Sequence, residues 1–382
     1  MDIDTPLTRR QTLVRAGGAA GALIGGGSLL AACGSSGSST TKTKAAAPGG
    51  KVTGGSVGFF TYALYSDPKL TGAFTHDTGT AVKPDSYAEL NEMLSKLRAT
   101  RGKGFDCISV ASNLVSQLAA EGLIQPLDTS RLKNWGNLYP AFSGADFLKY
   151  RGQVYGAPAV WGPEGLIYRT DKLRGVDSWE TLWDPANRGK LSVIDYDYEM
   201  VLTAALYLGM RSQLASNPIT FSPADMQKIK SALQQQVKLD TKLWADLPTG
   251  EALLASGAVN ATIGRILFLT DLRKKNIPVA LINPKQGTQG WVTSTCISAG
   301  TDNLDRAYAF ADYTMSAQYG VPLSQGLGYP SASQVSMQKL APSLRRDMFM
   351  NDPNILDKLV FWKAADNPQA WTQMWNEVKA SA

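Results

Sequence analysis

An indole and a carboxylate three residues apart, Trp161 and Glu164, sit inside the stretch 154–168, VYGAPAVWGPEGLIY. Gly162 and Pro163 stand between them. Residues 154–160 read as a short apolar extended run broken by Gly156 and Pro158, and residues 165–168 as a second buried strand. Proline and glycine there argue against one continuous ladder. The stretch therefore reads as a passage between two lobes, with Trp161 and Glu164 facing the gap. An ordinary strand–turn–strand corner with a core tryptophan fits the same residues.

Few other side chains offer chemistry. The only histidine is His76, and the cysteines are Cys33, Cys107 and Cys296. A zinc site of the usual kind lacks ligands. A Ser-His-Asp triad would have to use His76, at the end of an expected helix, and no G-x-S-x-G elbow accompanies it. There is no Walker loop, and no G-x-G-x-x-G follows a strand. The +6 formal charge is dispersed without arginine runs or aromatic–basic interleaving, which argues against nucleic acid. At 382 residues and 44% hydrophobic, the chain has room for two ordinary globular domains. No cofactor or metal is expected.

The first residues carry a leader. Thr8-Arg9-Arg10 precedes an apolar, glycine-rich run to Leu30, the layout of a signal peptide. The paired arginines point to twin-arginine export, although Thr12 stands where that signal carries an aromatic or leucine, so the general secretory route stays open. Leu30-Ala31-Ala32-Cys33 resembles a bacterial lipobox, which would make Cys33 the acylated first residue of the mature chain. A membrane-spanning anchor fits neither the length nor the glycine content. Residues 34–55 form a Ser/Thr/Lys/Gly/Ala tether without hydrophobic periodicity.

From Ser56 the pattern is βαβ: a strand at 56–60, a helix at 67–78 closed by Gly79, a strand at 81–84 and a helix at 87–100. That second helix sets Leu90, Met93, Leu94 and Leu97 on one face. Residues 105–112 make a buried strand, followed by a helix to Glu121. Such alternation predicts a parallel sheet with ligands at the carboxyl ends of its strands, here 61–65, 85–87 and 111–113. A second α/β set follows. It comprises a strand at 191–194, a helix at 199–210, and a helix opened by the capping residue Ser222 with Pro223 behind it. Further on come strands at 259–263, 279–282 and 290–298, a helix at 303–315, and a loop at 326–333 presenting Tyr329. The tail is expected to form a helix with Trp371 and Trp375 one turn apart. Cys107 and Cys296 fall on strands that could be neighbours; two buried thiols fit better than a strained bridge.

Taken in order, Gly122-Leu123-Ile124-Gln125-Pro126-Leu127-Asp128, Asn137-Leu138-Tyr139-Pro140, Pro158-Ala159-Val160-Trp161-Gly162, residues 178–185 (SWETLWDP), Gly189-Lys190-Leu191 and Gly328-Tyr329-Pro330 resemble the extracytoplasmic spermidine/putrescine-binding proteins of ABC importers. The resemblance runs from Ser56 to the C-terminus. It implies a two-lobed periplasmic-binding-protein fold of type II, each lobe a mostly parallel sheet flanked by helices, with two hinge crossings. Lobe 1 would hold 56–160 plus 292–329, and lobe 2 would hold 161–291 plus 330–382, after the signal peptide 1–33 and the tether 34–55.

The resemblance also implies a cleft of aromatics and acids around a cation, which is sound chemistry, since ring faces attract ammonium and carboxylates neutralise it. Tyr62, Tyr65, Trp291 and Tyr329 fall on aromatic positions and Glu199 on an acidic one. Tyr196 stands where the family has a second acid, and Thr293 where it has an amine-binding aspartate. Ala111 and Asn113 replace a hydroxyl and a tyrosine. Arg265 lies at or beside a family tryptophan, and Lys363 replaces a glutamine. Two added cations and a lost carboxylate would repel a polyamine, since a charge pair at about 4 Å is worth several kcal/mol at an effective dielectric of about 20. Arg265 and Lys363 could instead point to solvent or pair with Asp195, Asp197 or Glu199.

The expected ligand is thus a polyamine or related small amine, its nitrogen on Glu164 and Glu199. A zwitterion with its acid on Arg265, an anion, thiamine or ferric ion are alternatives on the same fold, and an exported lipoprotein hydrolase is the rival from another class. The expected partners are the permease subunits of an importer and, through Cys33, the membrane, with the receptor working as a monomer.

Overall fold

The computed structural model describes residues 52–381. The leader, Cys33 and the tether through residue 51 lie outside the described residues. Ten strands join one sheet: β1 (Ser56–Thr61), β2 (Ala81–Ser86), β3 (Cys107–Ala111), β4 (Gly156–Arg169), β5 (Leu191–Ile194), β6 (Lys242–Trp244), β7 (Ala261–Arg265), β8 (Val279–Ile282), β9 (Thr288–Ile297) and β10 (Leu359–Phe361). Their order is β2-β1-β3-β9-β4-β7-β5-β6, with β8 on β4 and β10 on β9. The flank β2-β1-β3 is parallel, and so is the flank β7-β5-β6. The long strands β4 and β9 run antiparallel between them.

Helices on this sheet include α1 (Pro68–Thr78), α2 (Leu90–Thr100), α3 (Ser112–Ala120), α4 (Asp197–Tyr207), α5 (Pro223–Val237), α6 (Leu247–Ala255), α7 (Ile266–Lys274), α8 (Leu304–Thr314), α9 (Ala317–Leu327) and α10 (Pro368–Lys379). Their ends follow local chemistry. Asp67 accepts the Lys69 N–H ahead of Pro68, and Gly79 closes α1 at φ 67°, which costs glycine nothing. Ser222 caps α5 by accepting the Asp225 N–H. Helix α2 begins three residues later than the sequence pattern predicts. Buried Tyr87 is held instead by its hydroxyl, which donates to the Ser109 carbonyl at 2.6 Å.

The stretch read as two strands around a break is one fourteen-residue strand, β4. Its prolines fall where the ladder asks nothing of them. Pro158 sits at the register shift opposite Thr293 and Ser294. The Trp161 N–H donates to the Pro330 carbonyl, and pairing with β7 begins only at Glu164. Two residues on from Trp161, Pro163 faces the same edge in the interval between those partners. The strand nevertheless passes from one half of the sheet to the other. Its first part pairs with β9, which continues to β3, and its last part pairs with β7 and β8.

Cys107 lies opposite Ile297, and Cys296 opposite Ile108. Side chains alternate along a strand, so the two thiols leave opposite faces of the sheet, where no bridge can form. Both are free and buried.

Candidate functional site

Period-two alternation sorts the central strands. Directly opposed residues of antiparallel strands share a face, and Trp291 opposes Gly162, Gln289 opposes Glu164, and Glu164 opposes Arg265. Trp291, Thr293, Gln289, Glu164 and Arg265 therefore project from one face, and Trp161 from the other. Trp161 is fully buried, packed on Phe142 and Phe361 with its indole N–H donating to the Ser331 carbonyl at 3.2 Å. It is a core residue. The expectation that Trp161 and Glu164 face one gap fails because residues three apart on a continuous strand point to opposite sides.

The other expected residues converge at the strand ends. Tyr62 follows the carboxyl end of β1, Tyr65 sits one turn on, Arg265 ends β7, and Glu199 lies in the first turn of α4. Tyr329 follows Gly328, which ends α9 at φ 74°. Arg265 reaches both acids, its Nε donating to Glu164 Oε2 at 2.6 Å and its Nη2 to Glu199 Oε1 at 2.5 Å. The two acid side chains are 0% and 1% exposed, while the Arg265 side chain is 19% exposed. Tyr62 is half-buried; Tyr65, Thr293, Trp291 and Tyr329 are buried. The Trp291 and Tyr329 rings meet edge to face at 4.8 Å, and Gly162 lets the indole lie against the strand.

Electrostatics follow from this crowding. Burial pushes the Glu199 carboxyl well above its ordinary value, and Glu164 beside it adds to the shift. Glu164 is raised too, again by burial first, with Arg265 pulling it back. The pair therefore favours a shared proton. Burial also lifts the phenols, Tyr62 to about 12. Burial alone would lower the Arg265 guanidinium, but the two carboxylates outweigh it and keep it charged.

Sequence reasoning missed one contributor, and the link between Asn113 and Tyr196 is a second feature it did not foresee. Buried Gln289 ties the site together: its amide donates to the Glu199 carbonyl at 3.1 Å and the Thr203 hydroxyl at 2.7 Å, and accepts from the Trp362 indole at 2.9 Å. Its place two residues before Trp291 is the one signal in the sequence. Tyr196 accepts from the Asn113 amide at 3.2 Å, joining the start of α3 to the start of α4. A cavity of about 680 Å³ lies against that link, lined by Asn113, Gln117, Tyr150, Tyr196, Asp366 and Trp371 among others. Tyr196 also lies near enough to Glu199 to feel its charge. Lys363 turns away, its Nζ donating to the carbonyls of Leu214 and Ala215, and Asp195 is taken by Trp375 and Lys379.

Two parallel flanks joined through a pair of long central strands, with ionisable and aromatic groups gathered at the strand ends, define a two-lobed binding protein of the periplasmic type. Residues 69–354 match the family of bacterial extracellular solute-binding proteins. The chain belongs to that family. It is 26% identical over 337 residues to the spermidine/putrescine-binding periplasmic protein 1 of Haemophilus influenzae, covering 85% of this chain and 89% of that one. It is 25% identical to the putrescine/agmatine-binding protein of Pseudomonas aeruginosa, covering 76% and 82%. Among solved structures, the substrate-binding protein PotD of a Streptococcus pneumoniae spermidine/putrescine ABC transporter superposes with a TM-score of 0.73 at 18% identity, covering 85% of this chain and 99% of that one.

Proposed function

We propose that this chain is the receptor of an ABC importer, exported and held at the membrane by a lipid on Cys33, and that it captures a polyamine or related small amine. The observation that carries the amine reading is the meeting of two buried carboxylates, Glu164 and Glu199, beside the rings of Tyr62 and Tyr329, with Trp291 packed on Tyr329. Carboxylates neutralise an ammonium group and ring faces attract it. Relatives whose names specify spermidine, putrescine and agmatine support the same solute class. Arg265 is committed through Nε and Nη2 to the two acids, which speaks against its serving as the anchor of a ligand's acid group.

The solute would bridge lobe 1 (56–160 plus 292–329) and lobe 2 (161–291 plus 330–382) across the crossings β4 and β9. The closed form would dock, as a monomer, on the permease, with a cytoplasmic ATPase supplying the work. The protein alters no bond in its cargo. Thermal unfolding with putrescine, spermidine, agmatine and simple amino alcohols tests this reading, because a bound ligand raises the melting temperature by mass action. A rise with at least one amine is expected, and none with any amine would overturn it. Cys33→Ala should release the protein from the membrane fraction.

A further inference from the structure

Ten buried side-chain polar atoms lack a hydrogen-bond partner among the described residues, and three of them belong to one cluster: Glu164 Oε1, Glu199 Oε2 and Trp291 Nε1. The first two are acceptors on acids at most 1% exposed, and the third is a donor on a buried indole. Native proteins rarely leave such groups unpaired, and a ligand is one way to satisfy them. Two carboxylates and one guanidinium sum to a single negative charge, so one added positive charge brings the cluster to neutrality.

We infer that this cluster selects an amine carrying a single positive charge together with a neutral oxygen acceptor, such as an amino alcohol or a mono-acylated diamine, over a di- or tri-cationic polyamine. The inference rests on the amine reading given above. The ammonium donates to Glu164 Oε1 and Glu199 Oε2, and the ligand oxygen accepts from the Trp291 indole. Arg265 occupies, from within the protein, the charge that a second ammonium would otherwise balance. An additional cation in the cluster meets the guanidinium with no acid left to neutralise it, and like charges brought together out of water are strongly disfavoured.

The cluster accounts for itself when empty. A proton held by the carboxyl pair leaves the site neutral, in keeping with the raised affinity of both acids for protons. The incoming ammonium displaces that proton to solvent, so charge balance holds in both states.

Isothermal titration of the protein with butylamine, 4-amino-1-butanol, N-acetylputrescine, putrescine and spermidine reads the charge and the oxygen separately. The oxygen-bearing monocations should bind about tenfold or more tightly than putrescine and spermidine, and more tightly than butylamine. Arg265→Gln should narrow or invert the gap between putrescine and the monocations. Trp291→Phe should erase the advantage of the oxygen and keep the preference for one charge. Circular dichroism melting of each variant establishes that it is folded. Putrescine or spermidine binding more tightly than every monocation would overturn the inference and leave the amine receptor standing. Binding of no amine would remove the amine receptor, and this inference with it.

Discussion

Glu164 and Arg265 are direct cross-strand neighbours, Nε to Oε2 at 2.6 Å, on the two strands that carry the sheet from its centre into its second flank. The guanidinium turns from there to Glu199, at the start of a helix, so one cation fastens a strand to a helix N-terminus. Removing it would leave two carboxylates facing each other out of water. Arg265→Met is expected to lower unfolding stability at neutral pH by about 2–4 kcal/mol, the low side of a broken buried pair because the arginine is partly exposed. Adding Glu199→Gln should restore part of the loss. Urea unfolding of the single and double variants measures both.

The same pair sets a pH dependence. Both acids hold protons more tightly in the folded chain than their ordinary value of 4.5. Above that value the folded state binds more protons than the unfolded one, so this contribution to stability is greatest at acid pH and is lost as pH rises through the raised values. The phenols of Tyr62, Tyr196 and Tyr329 around the pair are pushed upward and stay neutral in that window, while Arg265 stays charged. Glu89, Asp197 and Asp271 are acids within electrostatic reach of those phenols, of Tyr62, Tyr196 and Tyr329 respectively. Glu199→Gln should therefore gain stability relative to wild type between about pH 5 and about pH 7.5. Urea midpoints at the two pH values, compared between the proteins, check it. A wild-type slope unchanged by the substitution would remove the carboxyl pair as its source.

Much of this was legible in the sequence because it is local. The Asp67-Pro68 start of α1, the Ser222 cap of α5 and the alternation of β1, β3 and β5 with helices are written in neighbouring residues. Tyr62, Tyr65, Glu199, Arg265, Trp291 and Tyr329, scattered along the chain, do come to share one region. What failed depended on partners distant in the chain. Pro158 and Pro163 read as strand breakers because nothing local reveals which edge of β4 is occupied. Helix α9 went unseen because Pro322 lies inside it. Of the partners open to Arg265, Glu199, 66 residues away, is realised, whereas its cross-strand pairing with Glu164, 101 residues away, has no sequence signature.

The two central tryptophans should behave oppositely. Trp161 fills a core site against Phe142 and Phe361, so Trp161→Ala should cost about 3–5 kcal/mol while leaving amine affinity of the folded protein unchanged. Trp291→Phe should cost only about 1–2 kcal/mol and weaken binding of an oxygen-bearing amine by several-fold. Paired urea unfolding and calorimetric titrations separate the two effects.

Cys107 and Cys296 should be silent to redox chemistry. Burial raises both thiols well above their ordinary value, and reactive cysteines are those that ionise and meet solvent. Neither should take up iodoacetamide in the native protein, and both should be labelled after denaturation without reductant. Mass spectrometry of the digests reads this, and protection persisting in the denatured, unreduced sample would show a bridge.

Asn113 and Tyr196 hold the starts of α3 and α4 together through one hydrogen bond at 3.2 Å. Strand β3, which leads into α3, pairs with β9, and β5, which leads toward α4, pairs with β7, so the bond connects the two flanks of the sheet beside the cavity. A neutral hydrogen bond is worth about 0.5–1.5 kcal/mol net. If it forms only when the lobes close, that energy enters the binding constant through the population of the closed form. Tyr196→Phe should then weaken amine binding about two- to tenfold through faster release, with little change in stability. Asn113→Ala should cost as much, and the double variant should cost no more than either alone. A stopped-flow cycle over the four proteins measures the coupling. Additive losses in affinity would mean that the two side chains act separately and do not latch the flanks.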